Sequence, residues 1–180
     1  MPIYARVLPV LVFLLLVGSS VAHAQEGPFG AMDRSEDLVT WTAVGPAVPV
    51  QAGEAYTVAL HARIDAPWKL YATTAPAPVI ALSVQVGDPE MAAEPDQLIE
   101  TTPQVAFDRV FEQEIAYHTG RVLLTWRQAV SGDAETGRRT HLGRVRYQIC
   151  NDERGLCLPP TNQAFSVVVE VVPAEPEGSR

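Results

Sequence analysis

The sequence predicts an all-β sandwich. It holds about eight short segments rich in Val, Ile, Thr and aromatic residues, the composition of strands. The 15 prolines and 12 glycines of the 180-residue chain fall largely between those segments, where they end ladders and helices alike. No long run shows the three-to-four-residue apolar spacing of an amphipathic helix.

The first 24 residues stand apart from this pattern. Arg6 gives a positive start, residues 7–17 are apolar apart from Pro9, and Gly18, Ser19 and Ser20 precede Ala22-His23-Ala24. That order reads as a secretory signal peptide cleaved after Ala24. The apolar run is shorter than the roughly 20 residues that a membrane anchor needs. No Cys lies near the cleavage site, which disfavours a lipid anchor. Cleavage removes Arg6 and no acid, so the formal charge moves from −8 to −9. A chain this acidic repels phosphate backbones, and nucleic-acid binding is disfavoured. The exported chain is expected to be periplasmic and soluble, with no membrane insertion.

Residues 25–37 read as a loose N-terminal arm and residues 38–44 (LVTWTAV) as the first strand. Residues 45–53 carry two prolines and read as a turn. Residues 55–64 (AYTVALHARI) give the clearest strand, with Tyr56, Val58, Leu60, Ala62 and Ile64 alternating against Thr57, Ala59, His61 and Arg63. After Pro67, residues 68–72 (WKLYA) resume extended structure. Further strands are expected at 79–86, 109–117, 122–130, 142–150 and 164–172. Residues 88–103 read as a loop with a short helix near 91–93, residues 131–140 as an exposed loop, and residues 173–180 as a frayed acidic tail. The domain is therefore expected to span residues 38–172.

The two cysteines carry the candidate chemistry. Cys150 and Cys157 enclose Asn151, Asp152, Glu153, Arg154, Gly155 and Leu156, and Asn, Asp and Gly are turn formers. Pro159 and Pro160 then interrupt ladder pairing. The simplest geometry is a hairpin with the cysteines facing each other near its tip, within disulfide range. In an exported protein such a pair is expected to be oxidised. A structural clip is one reading. Closing so short a loop adds only about 2.5 kcal/mol in the chain-entropy treatment, and a hairpin turn already joins these strands. Exchange chemistry is the other reading, because exposed disulfides are the labile ones. Two thiolates without a third Cys or a suitably spaced His make a poor zinc site. Neither a metal nor a cofactor is implied.

Tyr147-Gln148-Ile149-Cys150-Asn151-Asp152, followed by Gly155-Leu156-Cys157-Leu158-Pro159-Pro160, resembles the active-site segment of the N-terminal periplasmic domain of DsbD-type thiol:disulfide interchange proteins. Trp68-Lys69-Leu70-Tyr71 is similar to that family's Trp-x-x-Tyr strand. Phe107-Asp108-Arg109-Val110-Phe111, running on to Tyr117 and Val122, resembles its cap loop and following strand. The resemblance implies an immunoglobulin-like β-sandwich that carries electrons from a membrane thiol reductase to periplasmic thioredoxin-like proteins. It implies that Cys157 attacks and Cys150 resolves, and that Phe111, or Val110 beside it, caps the sulfurs. The sequence ends at Arg180 without the family's membrane segment or thioredoxin-like domain, so the reductase is expected to be a separate chain. The turn between the cysteines differs in length and charge from some members, which bears on partner choice.

Other residues receive plainer readings. Tyr71 and Tyr147 are candidates to line the sulfur site. Arg154, Arg144 and Arg146 would favour a thiolate, while Asp152 and Glu153 would oppose it. The basic stretch Arg138, Arg139, His141, Arg144 and Arg146 reads as a solvated hairpin or as a dock for an acidic partner. His61 and His118 read as ordinary strand residues, and Trp41, Trp68 and Trp126 as core or rim aromatics. No phosphate-binding loop, nucleophile elbow or His-Glu-x-x-His motif is present. Two rival readings remain open. One is a non-catalytic immunoglobulin-like binding or scaffold module with a structural disulfide. The other is a partner-specific chaperone that uses the pair only to dock.

Overall fold

A computed structural model describes residues 33–87, 95 and 97–175. One helical turn, α1 (Ser35–Leu38), leads into β1 (Val39–Val44). Then follow β2 (Val50–Gln51), β3 (Ala55–Ile64), β4 (Lys69–Tyr71), β5 (Ser83–Val86), β6 (Ile99–Glu100) and β7 (Gln104–Asp108). The chain continues through β8 (Gln113–His118), β9 (Arg121–Ala129), β10 (Gly137–Tyr147), β11 (Ile149–Asn151), β12 (Leu156–Cys157) and β13 (Thr161–Val172). The strands form three sheets, in the orders β1-β3-β9-β6, β2-β13-β10-β5 and β12-β11-β4-β8-β7. The expected leader at 1–24, most of the N-terminal arm and the expected helix at 91–93 lie outside the described residues. No described helix is long and apolar enough to cross a membrane.

Alternation builds the sandwich. Tyr56, Val58, Leu60, Ala62 and Ile64 of β3 turn inward, as the period-two pattern requires, beside Val122, Leu124 and Trp126 of β9. They share one buried cluster with Val145 and Tyr147 of β10 and Val167, Val169 and Val171 of β13. The two sheets thus close over one core. Gly143 of β10 faces Phe165 of β13, whose ring lies over its backbone. A Cβ there would collide with three atoms of the Phe165 ring. Gly143→Ala is expected to cost about 1–3 kcal/mol by overpacking. Urea denaturation should show that cost shrinking in a Phe165→Leu background; an unchanged cost would contradict this account.

Several strands depart from expectation, each for a visible reason. The segment 109–117 is not one strand, because residues 109–112 form the turn between β7 and β8. The Asp108 carboxylate accepts the backbone N–H groups of Val110 and Phe111, at 2.8 and 3.1 Å, which holds the turn. Glu112 completes it in the left-handed region, with φ of 54°. The segment 79–86 is extended only from Ser83. The Ala72 carbonyl accepts N–H groups from both Ala75 and Leu82, which draws the Pro-rich stretch between them into a loop. Residues 137–140, expected as loop, begin the long strand β10.

The segment 142–150 also divides. At Gln148 the chain leaves the second sheet for the third. The Gln148 side chain accepts from the Ile80 N–H and donates to the Leu158 carbonyl, satisfying two loops at the corner. This corner decides which way the cysteines face.

Candidate functional site

The third sheet carries the site, and β4 lies at its centre. Leu70 turns to the main core, while Tyr71 turns to a second buried cluster with Ala75, Val79, Ile115 and Cys150. Lys69 of β4 lies directly opposite Cys150 of β11, and Cys150 lies opposite Cys157 of β12. Directly opposed residues share a face, so Lys69, Cys150 and Cys157 form a row across three strands. The cysteines are joined as a disulfide with Cα atoms 4.0 Å apart. The loop between them is held by the Asn151 side-chain oxygen, which accepts the Arg154 N–H at 3.1 Å. Cys150 is fully buried, whereas Cys157 is partly exposed. The Tyr71 hydroxyl approaches the Cys157 Sγ at 4.0 Å.

Beside the sulfurs lies a buried polar network. The Lys69 Nζ donates to Asp108 Oδ2 at 2.6 Å, and the Tyr71 hydroxyl donates to the same oxygen at 2.7 Å. Lys69 also pairs with Asp152, in the loop between the cysteines, at 2.5 Å. The rings of Tyr71 and Tyr117 stand 5.6 and 5.3 Å from the ammonium. Burial alone would push the Asp108 carboxyl up. Hydrogen bonds from Lys69, Tyr71 and the N–H groups of Phe111 and Val110 outweigh it and hold the carboxyl below its ordinary range. Burial, then the bond to Asp108 and the nearby charges of Asp108 and Asp152, raises Tyr71 well above the usual tyrosine value. Tyr71 therefore remains a neutral donor.

The expected site residues separate. Phe111 packs edge-on to Tyr71, with ring centroids 5.9 Å apart, and joins the cluster around Cys150. Val110 is partly exposed on the same turn. Tyr147 does not line the sulfurs. It precedes the corner at Gln148 and faces the sandwich core, 5.5 Å from the Trp41 ring, with its hydroxyl donating to Gln163. Burial, the largest effect on it, pushes its hydroxyl up to about 12.

Of the three arginines expected near a thiolate, two lie on another sheet, and Arg154, in the cysteine loop, turns its side chain to a partner outside that loop. Arg154 pairs with Asp33 at 2.8 Å. Arg144 and Arg146 lie on β10, across from Ala164 and Asn162. Lys69 is the cation in the sulfur row, and the pattern reading gave it no role. Its signal was a lone cation inside the apolar stretch WKLYA. His118 is more than a plain strand residue: it is buried, and its Nε2 lies 2.9 Å from Glu100. Glu100 also accepts the Thr73 N–H and hydroxyl, which ties β6 to the loop after β4.

Topology and pair together define an immunoglobulin-like β-sandwich with a disulfide on its third sheet. The family model for the thiol:disulfide interchange protein DsbD, N-terminal, matches residues 38–169. The chain belongs to that family. Among solved structures it is similar to the DsbD N-terminal domain of Neisseria meningitidis in its reduced form, at 17% identity and a TM-score of 0.51. That match covers 77% of this chain and 91% of the other, and it shows the shared fold. A looser likeness joins it to AggA, the major subunit of an Escherichia coli adherence fimbria, at 12% identity and a TM-score of 0.35. That match covers 74% of this chain and 94% of the other. No curated protein matches the chain by sequence.

Proposed function

We propose that Cys150 and Cys157 form a working disulfide that carries electrons in the periplasm. It receives them from a membrane thiol reductase in a separate chain and passes them to thioredoxin-like partners. The observation that carries this reading is the asymmetry of the pair: Cys157 is partly exposed at a sheet edge, and Cys150 is fully buried beside it. In the dithiol form the Cys157 thiolate attacks a partner disulfide. The partner's S–S bond breaks, its outer sulfur leaves as a thiolate, and a mixed disulfide forms. The Cys150 thiolate then attacks Cys157 Sγ, and the partner's second sulfur leaves with the electron pair. Two electrons and two protons pass to the partner, and the Cys150–Cys157 bond is restored. Reduction by the membrane protein runs the same steps backwards.

Phe111 serves as the cap, and it rests on Tyr71 beside the sulfurs. Val110 presents a small apolar surface to whichever partner displaces that cap. Lys69 with Asp108 and Asp152 supplies one cation against two carboxylates. The leader, with cleavage after Ala24, delivers the domain to the compartment where this exchange is useful. The test is which single-cysteine variant retains a partner as a mixed disulfide.

A further inference from the structure

Two carboxylates from separate loops meet on one buried ammonium. Asp108 ends β7 and holds the turn that carries Phe111, through the N–H groups of Val110 and Phe111. Asp152 lies in the loop between the cysteines, nearly half exposed. Lys69 reaches both, at 2.6 and 2.5 Å, and its own side chain is 7% exposed. Among the described residues one other side chain makes a polar bridge between residues 108–112 and 150–157: the Tyr71 hydroxyl, which donates to Asp108 Oδ2 at 2.7 Å and lies 4.0 Å from the uncharged Cys157 Sγ. Apolar contact supplies the rest, through Phe111, Tyr71 and the cysteines.

We infer that Lys69 is a positioning residue that latches the cap turn to the redox loop through Asp152. The inference rests on the exchange reading of the site and says how access to Cys157 is set. Asp108 is buried and bonded on every side, so it remains with β4. The Lys69–Asp152 pair is open to water at its Asp152 end and is the weaker arm. When it parts, the cysteine loop moves independently of the Phe111 turn, and Cys157 becomes reachable. A partner with a cation placed to take Asp152 would open the site. A small oxidant without such a charge meets the latched form.

The experiment reads alkylation of Cys157 by iodoacetamide in the chain after reduction with a phosphine. Alkylation reports the open population when opening and closing are fast. Asp152→Asn keeps the shape of the loop and removes its charge. It is expected to raise the limiting alkylation rate about fivefold, the scale of one partly exposed ion pair. The midpoint of the rate's pH profile is expected to remain in place. Lys69→Arg, which retains both pairings, is expected to stay within about twofold of the parent. In a Phe111→Ala background, Asp152→Asn is expected to add almost nothing, because no cap remains to be latched.

An unchanged rate in Asp152→Asn would overturn the proposal. So would a gain that appears as a shifted pH midpoint, which marks a charge effect on the thiol. A gain that persists undiminished without Phe111 would overturn it as well. The assay needs only reduced thiols. It therefore stays readable if the pair proves to be a structural clip, and the two failures remain distinct.

Discussion

Cys150→Ala is expected to accumulate covalent complexes with thioredoxin-like partners, while Cys157→Ala forms none and loses exchange by two orders of magnitude or more. Cys150 is 0% exposed and packs among Tyr71, Ile115 and Val79, so a partner disulfide cannot reach its sulfur without unpacking that cluster. Cys157 sits on a short strand at the edge of the third sheet and is partly open. Attack by Cys157 leaves a mixed disulfide that only Cys150 is placed to resolve, since opposed strand positions hold the two at high effective concentration. Removing Cys150 stops the sequence at that stage. Non-reducing electrophoresis and mass spectrometry of the variants, expressed in the periplasm, would show the complexes. If only Cys157→Ala retained partners, the two roles would be reversed. If neither did, exchange with proteins would be excluded.

Asp108→Ala is expected to be the most destabilising single change at the site, at about 3–5 kcal/mol, because it leaves a buried ammonium without its main partner. It also removes the acceptor for the Tyr71 hydroxyl and for two N–H groups of the cap turn. The same carboxylate makes stability depend on pH. Its folded pKa lies below the unfolded value of about 3.9. Its contribution is therefore present in full well above that value and is lost as pH falls through the folded pKa. Asp108→Asn removes the titration. The stability gap between the parent and Asp108→Asn is expected to be widest near neutrality and to narrow steadily in acid. Urea denaturation across that range measures it, and a gap that stayed constant would contradict the role given to the charge.

Much of the fold could be read locally, and the reasons differ by element. The strand Ala55–Ile64 was legible residue for residue, because one face meets the core and the other meets water. The cysteine hairpin was legible because turn formers fill the space between two short extended runs. The strand change at Gln148 was not, since it depends on Ile80 and Leu158, loops that no local pattern connects to it. The same corner explains why Tyr147 belongs to the core and not to the sulfurs. The turn at residues 109–112 hides in a sequence, Arg-Val-Phe-Glu, whose composition suits a strand. Only the Asp108 side chain, bonding forward to Val110 and Phe111, breaks it. The Lys69 network was out of reach for a related reason. Lys69 and Asp108 are 39 positions apart, and a charged residue inside an apolar strand does not name its partner.

The reduction potential of the Cys150–Cys157 pair separates a working disulfide from a structural one. The chain would be equilibrated with glutathione or dithiothreitol buffers and its thiols trapped for mass spectrometry. A potential well above about −300 mV, rapid exchange and little loss of stability on reduction are expected. A potential below that value, with slow exchange and a large loss of stability in the dithiol form, would contradict the exchange reading and mark the disulfide as a structural clip.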